Sequence, residues 1–254
     1  MLNKACYYLL PPQCILCGYS SQQAAICSPV TMSNAEQLHT NICLPCRKNL
    51  PILPQGCRQC AQFLHSATEA LLCADCLTQA PPFDKIYALF PYVPPITAFI
   101  IQLKFYQQLT YAKAFSQLFL DRIKSHWYRD RALPDLIVPM PLHRIRLRQR
   151  GFNQAVEIAK PLAKQLSLPL DLTGIVRIKP TLAQSALSAK ARKQNMRRAF
   201  AAKRCYTGLN IAVLDDVITT GHTMTAFCQV LKQYGARHID VWCCAIAQEK
   251  NENR

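Results

Sequence analysis

The sequence predicts an α/β fold: an open parallel sheet flanked by helices, preceded by a small cysteine-rich module. Three observations predict it. Four Cys-x-x-Cys pairs crowd into the first 76 residues. From Ile86 onward, short apolar runs alternate with segments of helical periodicity. Two of those runs, "LNIAVL" and "HIDVWCCAIA", lack the alternation of a half-exposed strand, which suits the centre of a parallel sheet.

The cysteines come first in the chain. Ten of the fourteen precede residue 77, and eight of them form "CILC" (Cys14, Cys17), "CLPC" (Cys43, Cys46), "CRQC" (Cys57, Cys60) and "CADC" (Cys73, Cys76). A Cys-x-x-Cys turn aims two thiolates at one cation, and two such turns complete a tetrahedral zinc site. Disulfides and redox dithiols are the alternatives. The opening residues lack the apolar core of a signal peptide, which argues against disulfides, and four pairs exceed what redox chemistry needs. Two structural zinc ions are therefore expected. Sequential pairing would place Cys14, Cys17, Cys43 and Cys46 on one ion and Cys57, Cys60, Cys73 and Cys76 on the other; interleaved pairing would make a cross-braced module. The twelve residues between Cys60 and Cys73 form a compact ribbon and favour the sequential scheme. Cys6 and Cys27 lie outside the pattern. So little apolar sequence implies a fold that depends on its metal.

"TQAPPFDK" marks a proline-rich break, so the expected domains are 1–80, a double zinc ribbon, and 81–254, the α/β unit. Within the second, "KIYALFPYV" reads as a strand. The run from "ITAFIIQLKFY" to "KSHWY" has helical spacing, with Phe99, Leu103 and Tyr106 on its early apolar face. "DLIVPMP" is a short strand. "NQAVEIAKPLAKQLSL" is an amphipathic helix with Ala155, Ile158, Ala159, Leu162 and Leu166 inward and Pro161 as a kink point. "MTAFCQVLKQYG" is a helix presenting Phe227, Val230, Leu231 and Tyr234, stopped by Gly235.

In such a sheet ligands bind beyond the carboxyl ends of the strands. The strand "NIAVL" is expected to end at Asp215, and "DDVITTGHT" follows. Thr219, Thr220, Gly221, His222 and Thr223 offer backbone N–H groups, hydroxyls and the positive end of a helix starting near Met224, which together suit a phosphate. Asp215 and Asp216 cannot favour the same phosphate. They suit neutral hydroxyls or a divalent cation, so a sugar phosphate satisfies both halves. His222 needs only its backbone.

The formal charge of +16 is concentrated. Between Pro141 and Arg204 fifteen Lys and Arg face two acids, a net +13, which points to a polyanionic partner rather than a solubilising surface of mixed signs. No apolar run is long enough to span a membrane, and a cytoplasmic protein is expected.

The stretch "VLDDVITTGHT" resembles the ribose-5-phosphate signature of type I phosphoribosyltransferases. That resemblance implies a fold of their kind. It implies Asp215 and Asp216 on the ribose in the catalytic position and Thr219 to Thr223 on the 5-phosphate. Arg150 and Gly151, in the loop after an earlier strand, would meet the pyrophosphate of Mg²⁺-phosphoribosyl pyrophosphate. "KPTLAQSALSAKARKQNMRRAF" would close over the substrate. Together with the four cysteine pairs, "QLKFY" around Lys104, "PMPLH…RGFNQA" and "KPT..Q..L....R..N....F", nearly the whole chain is similar to the ComF family and its GntX-like relatives. The resemblance implies a zinc ribbon joined to a phosphoribosyltransferase-like domain and a role in importing single-stranded DNA during natural transformation. It also implies a helicase-like translocation partner and a cytoplasmic place reaching the inner face of the membrane. No acceptor-base pocket is readable, so the signature supports ligand binding more firmly than transfer to a nitrogen acceptor.

Overall fold

The structure is a computed structural model describing residues 13–19, 42–64, 71–179 and 199–248. Two one-turn helices, α1 (Leu44–Lys48) and α2 (Ala74–Thr78), belong to the cysteine-rich part. The α/β part begins with β1 (Lys85–Pro91), then α3 (Ile96–Tyr106), α4 (Leu109–Arg122), β2 (Leu136–Pro139), α5 (Arg144–Arg150) and α6 (Gln154–Leu166). It continues through β3 (Ile175–Arg177), β4 (Phe200–Ala202), β5 (Asn210–Ile218), α7 (His222–Gln233) and β6 (His238–Ile246).

The expected parallel sheet is present, four strands in the order β1-β6-β5-β2 with every pairing parallel. The doubly apolar runs occupy its two central strands, where Ile211 to Leu214 and Val241 to Ala245 are buried between helical layers. Helix α6 turns Ala155, Ile158, Ala159, Leu162 and Leu166 inward as expected and continues past Pro161 to Leu166. Asn153 starts it by accepting a 3.0 Å hydrogen bond from the Ala155 N–H.

Six details differ from the sequence expectation. The run after β1 is broken into two helices where Gln107 adopts a left-handed conformation (φ 55°), and each helix buries its own apolar residues. Tyr106 lies outside while Phe99 and Leu103 are buried. Strand β5 does not stop at Asp215; it runs to Ile218 because β6 stays alongside it, pairing Asp215 with Cys243 and Ile218 with Ile246. Helix α7 begins at His222 rather than near Met224, capped by Gly221 at φ 71°. Tyr234 follows that helix as a partly exposed cap residue instead of facing the core. A separate antiparallel pair, β3 with β4, was not anticipated. Residues 180–198, most of the segment expected to close over substrate, and Cys6 and Cys27 lie outside the described residues.

The cysteine-rich part packs on the sheet. The Ile86 N–H donates to Gln59 O at 2.7 Å and the Phe63 N–H to Gln248 Oε1 at 2.6 Å. Arg47 pairs with Asp121 of α4, and Cys14, Ile42 and Leu50 join the apolar core.

Candidate functional site

Strand β5 and the turn after it carry the candidate site. Asp215 and Asp216 are consecutive on β5, and their carboxyl groups stay within reach of each other. Asp216 is buried, ion-pairs with Lys104 of α3, and accepts a hydrogen bond from Gln154 Nε2 at 3.3 Å. Gln154 Oε1 in turn accepts from Arg150 Nη1 at 2.7 Å. Three helices therefore converge on one carboxylate. Asp215 is partly exposed and accepts a 2.8 Å hydrogen bond from the Asp216 N–H. Burial and the neighbouring charge of Asp216 push its carboxyl well above the usual carboxylate range. Arg177 of β3 lies within its electrostatic reach.

Thr219 and Thr220 are exposed and Gly221 and Thr223 half-buried, placed where α7 opens. The first N–H groups of a helix have no carbonyl of their own to bond, so they face outward here. A Cβ on Gly221 would meet nothing within 4 Å, so space over the turn is open and the glycine is required by its positive φ. His222 Nδ1 sits 2.8 Å from Thr220 Oγ1, an orienting contact within the turn. Arg150 closes α5 and Gly151 follows as its left-handed cap (φ 81°), so the pair is a helix end rather than an open loop. The Arg150 guanidinium lies over the Phe105 ring, 5.7 Å from its centroid.

Two cysteine tetrads lie in the cysteine-rich part. Cys14, Cys17, Cys43 and Cys46 form one group and Cys57, Cys60, Cys73 and Cys76 the other, each with all four sulfurs within 4.8 Å of one another. The structure thus brings the pairs together sequentially. Four 2.3 Å bonds in a tetrahedron separate sulfurs by about 3.8 Å; Cys17 and Cys43 are 3.8 Å apart and Cys60 and Cys73 3.5 Å. Each tetrad holds one thiol ready to ionise. Burial raises the Cys14 thiol, but N–H groups of Cys43, Cys17 and Leu16 outweigh it and bring it to about 6. Cys57 reaches about 7 in the same way through Cys60, Cys73 and Gln59. Burial pushes Cys60 up to about 12 and raises Cys46 and Cys76 further, so both groups are suited to a cation that displaces protons. Either tetrad could hold a metal ion.

Residues 153–254 match the phosphoribosyl transferase domain family. The chain is 35% identical to the DNA utilization protein YhgH of Salmonella typhimurium over 206 residues, 81% of this chain and 90% of that one. The Escherichia coli K12 protein of that name is 34% identical over the same shares. Competence protein F of Haemophilus influenzae is 34% identical over 225 residues, 81% of this chain and 96% of its own. The chain belongs to the ComF family.

Sequence reasoning gave no role to two residues of this candidate site. Lys104 and Gln154 both lie in stretches quoted for the resemblance, "QLKFY" and "RGFNQA", yet nothing local says that they meet at Asp216. A cavity was also unforeseen. It has a volume of about 700 Å³ and opens between the end of β2, α5 and the β3–β4 pair, with Leu147, Val156 and Ile175 among its apolar walls. His143, Arg144, Arg177 and Lys203 line it, and none of its lining residues is acidic. Among the described residues no helix is long and apolar enough to cross a membrane.

Proposed function

We propose that this ComF-type protein binds phosphoribosyl pyrophosphate, or a related ribose 5-phosphate, and handles single-stranded DNA in natural transformation. The observation that carries the reading is the turn at 219–223. It is an open, glycine-capped helix start directly beyond a strand that bears two carboxylates. Thr219, Thr220, Gly221, His222 and Thr223 hold the 5-phosphate through backbone N–H groups and hydroxyls. Asp215 receives the ribose hydroxyls directly. Asp216, covered by Lys104 and Gln154, sets the local charge and becomes available when Lys104 turns to an incoming phosphate.

Arg150 meets the pyrophosphate with Gly151 giving it room, and the Mg²⁺ arrives as part of that ligand. Arginine suits the task because its planar fork engages two phosphate oxygens at once. The two tetrads hold structural Zn²⁺, whose thiolate ligands they match in number and spacing. DNA contact is through the backbone, sequence-tolerant and weakened by salt, as the net +13 of residues 141–204 implies. DNA utilization and competence are the words in the relatives' names, and they support this assignment.

Transfer of the ribose 5-phosphate to a nitrogen acceptor is the second reading, favoured by the cavity lined by Arg177, which feels the charge of Asp215. Its apolar walls would take a flat base. The deciding experiment is calorimetric titration with Mg²⁺-phosphoribosyl pyrophosphate, comparing the native chain with the double variant Asp215→Ala, Asp216→Ala. Saturable binding lost in the variant supports the site, and no binding to the native chain sinks it. Pyrophosphate release across a panel of bases and amines then separates a transferase from a binding protein.

A further inference from the structure

Helix α3 ends in two aromatic side chains that the core does not use. Phe105 is 69% and Tyr106 66% exposed, beside a lysine that reaches Asp216. The end of α5 lies beside Phe105; none of the residues of α5 is buried, Arg144, Arg146 and Arg148 are exposed, and Arg150 rests over the Phe105 ring. The charged segment taken alone is poor in aromatics, and the fold supplies them from an element forty residues earlier. Leaving two large rings in water forfeits their burial energy. Flat rings beside guanidinium groups offer what a nucleobase and its phosphate need together.

We propose that Phe105 and Tyr106 form the base-stacking platform of a single-stranded nucleic-acid path that runs along α5 and shares Arg150 with the pyrophosphate site. At 1.5 Å per residue α5 is about 10 Å long, a short stretch of single strand. The platform is open on the surface, which suits a strand passing over it better than a small molecule enclosed by it. A lipid surface fits less well, since an interfacial helix needs a broad apolar face and α5 alternates arginines with Ile145 and Leu147.

The shared arginine has a consequence, which rests on the ribose-phosphate reading above. One guanidinium cannot both engage pyrophosphate and stay stacked on Phe105 against a strand phosphate. Strand and pyrophosphate-bearing ligand therefore weaken each other, by the same factor in both directions.

The test is fluorescence anisotropy of a labelled oligothymidylate with the full, metal-loaded chain. Phe105→Ala with Tyr106→Ala is expected to weaken binding by about 5- to 150-fold, the range for losing one stacked base. The exchange Phe105→Tyr with Tyr106→Phe keeps the rings and is expected to keep the affinity, which separates stacking from misfolding. Saturating Mg²⁺-phosphoribosyl pyrophosphate is expected to raise the oligonucleotide Kd several-fold in the native chain and not in Arg150→Ala. Unchanged oligonucleotide affinity in the alanine pair would overturn the platform. So would loss of binding to phosphatidylserine vesicles with oligonucleotide binding intact. Failure of the native chain to bind the ribose ligand removes that reading and the coupling, while the oligonucleotide arm still decides the platform.

Discussion

Lys104 reaches from the end of α3 to Asp216 on β5 and forms an ion pair in which the two side chains are 20% and 5% exposed. Removing one partner of a nearly buried pair leaves the other charge uncompensated, which costs more than the pair itself contributes. Lys104→Met is therefore expected to destabilise the chain by about 3 kcal/mol. Adding Asp216→Asn is expected to restore much of that loss. Urea unfolding of the two single variants and the double variant measures it; fully additive effects would mean that the pair does not act as a unit.

The tetrads predict two metal ions per chain by elemental analysis. Stripping them with a strong chelator is expected to expose Leu50 and Ile42 and loosen the contacts that Gln59 and Phe63 make with the sheet. Rebinding zinc near neutral pH is expected to release protons, because Cys60, Cys46 and Cys76 are protonated before the ion arrives. Calorimetry in buffers of different ionisation enthalpy counts those protons. Affinity is expected to fall as pH falls through about 6 to 7, where Cys14 and Cys57 take up protons as well.

Asp171 predicts an acid limit to stability. Burial raises its carboxyl, but the Tyr206 hydroxyl, the N–H groups of Gly174 and Thr173, and Arg204 together hold it below the usual carboxylate range. A depressed folded-state pKa contributes stability that is fully present above the unfolded value, about 3.9, and is lost as pH falls through the lower folded value. Asp171→Asn is expected to cost about 1 to 3 kcal/mol near neutral pH. It is also expected to flatten the fall in Tm below pH 4, followed by thermal melts from pH 6 to 2.

Gly174 is expected to tolerate no side chain. An added Cβ would stand 2.1 Å from Asp171 Oδ2 and 2.3 Å from the Tyr206 hydroxyl, both buried and hydrogen-bonded to each other. Gly174→Ala is expected to cost about 1 to 3 kcal/mol by overpacking, measured by denaturant unfolding. Equal stability would mean that the Asp171 cluster relaxes freely.

Some of this was readable along the chain because the signal is local. Cysteine spacing within a turn brings two thiols together, and the unbroken apolar runs of β5 and β6 mark buried strands. The stripe of α6 repeats at helical spacing, and "DDVITTGHT" places its carboxylates next to the turn that opens α7. The boundaries of β5 and α7 shifted by two or three residues because neighbouring strands, not the segment itself, decide where pairing stops. The single helical run became two because the left-handed break at Gln107 lets each helix bury its own apolar residues.

Other relationships join residues far apart in sequence, and these depend on the topology. Asp216 meets Lys104 and Gln154, Arg150 covers Phe105, and β3 pairs with β4 only once the sheet has brought α3, α5 and α6 to one end of β5. Composition shows that positive charge is plentiful between 141 and 204. Folding decides which cation neutralises a buried carboxylate, which stacks on a ring, and which faces solvent. Electrostatic and stacking energies fall off over a few ångströms, so their assignment waits for distances that no linear pattern contains.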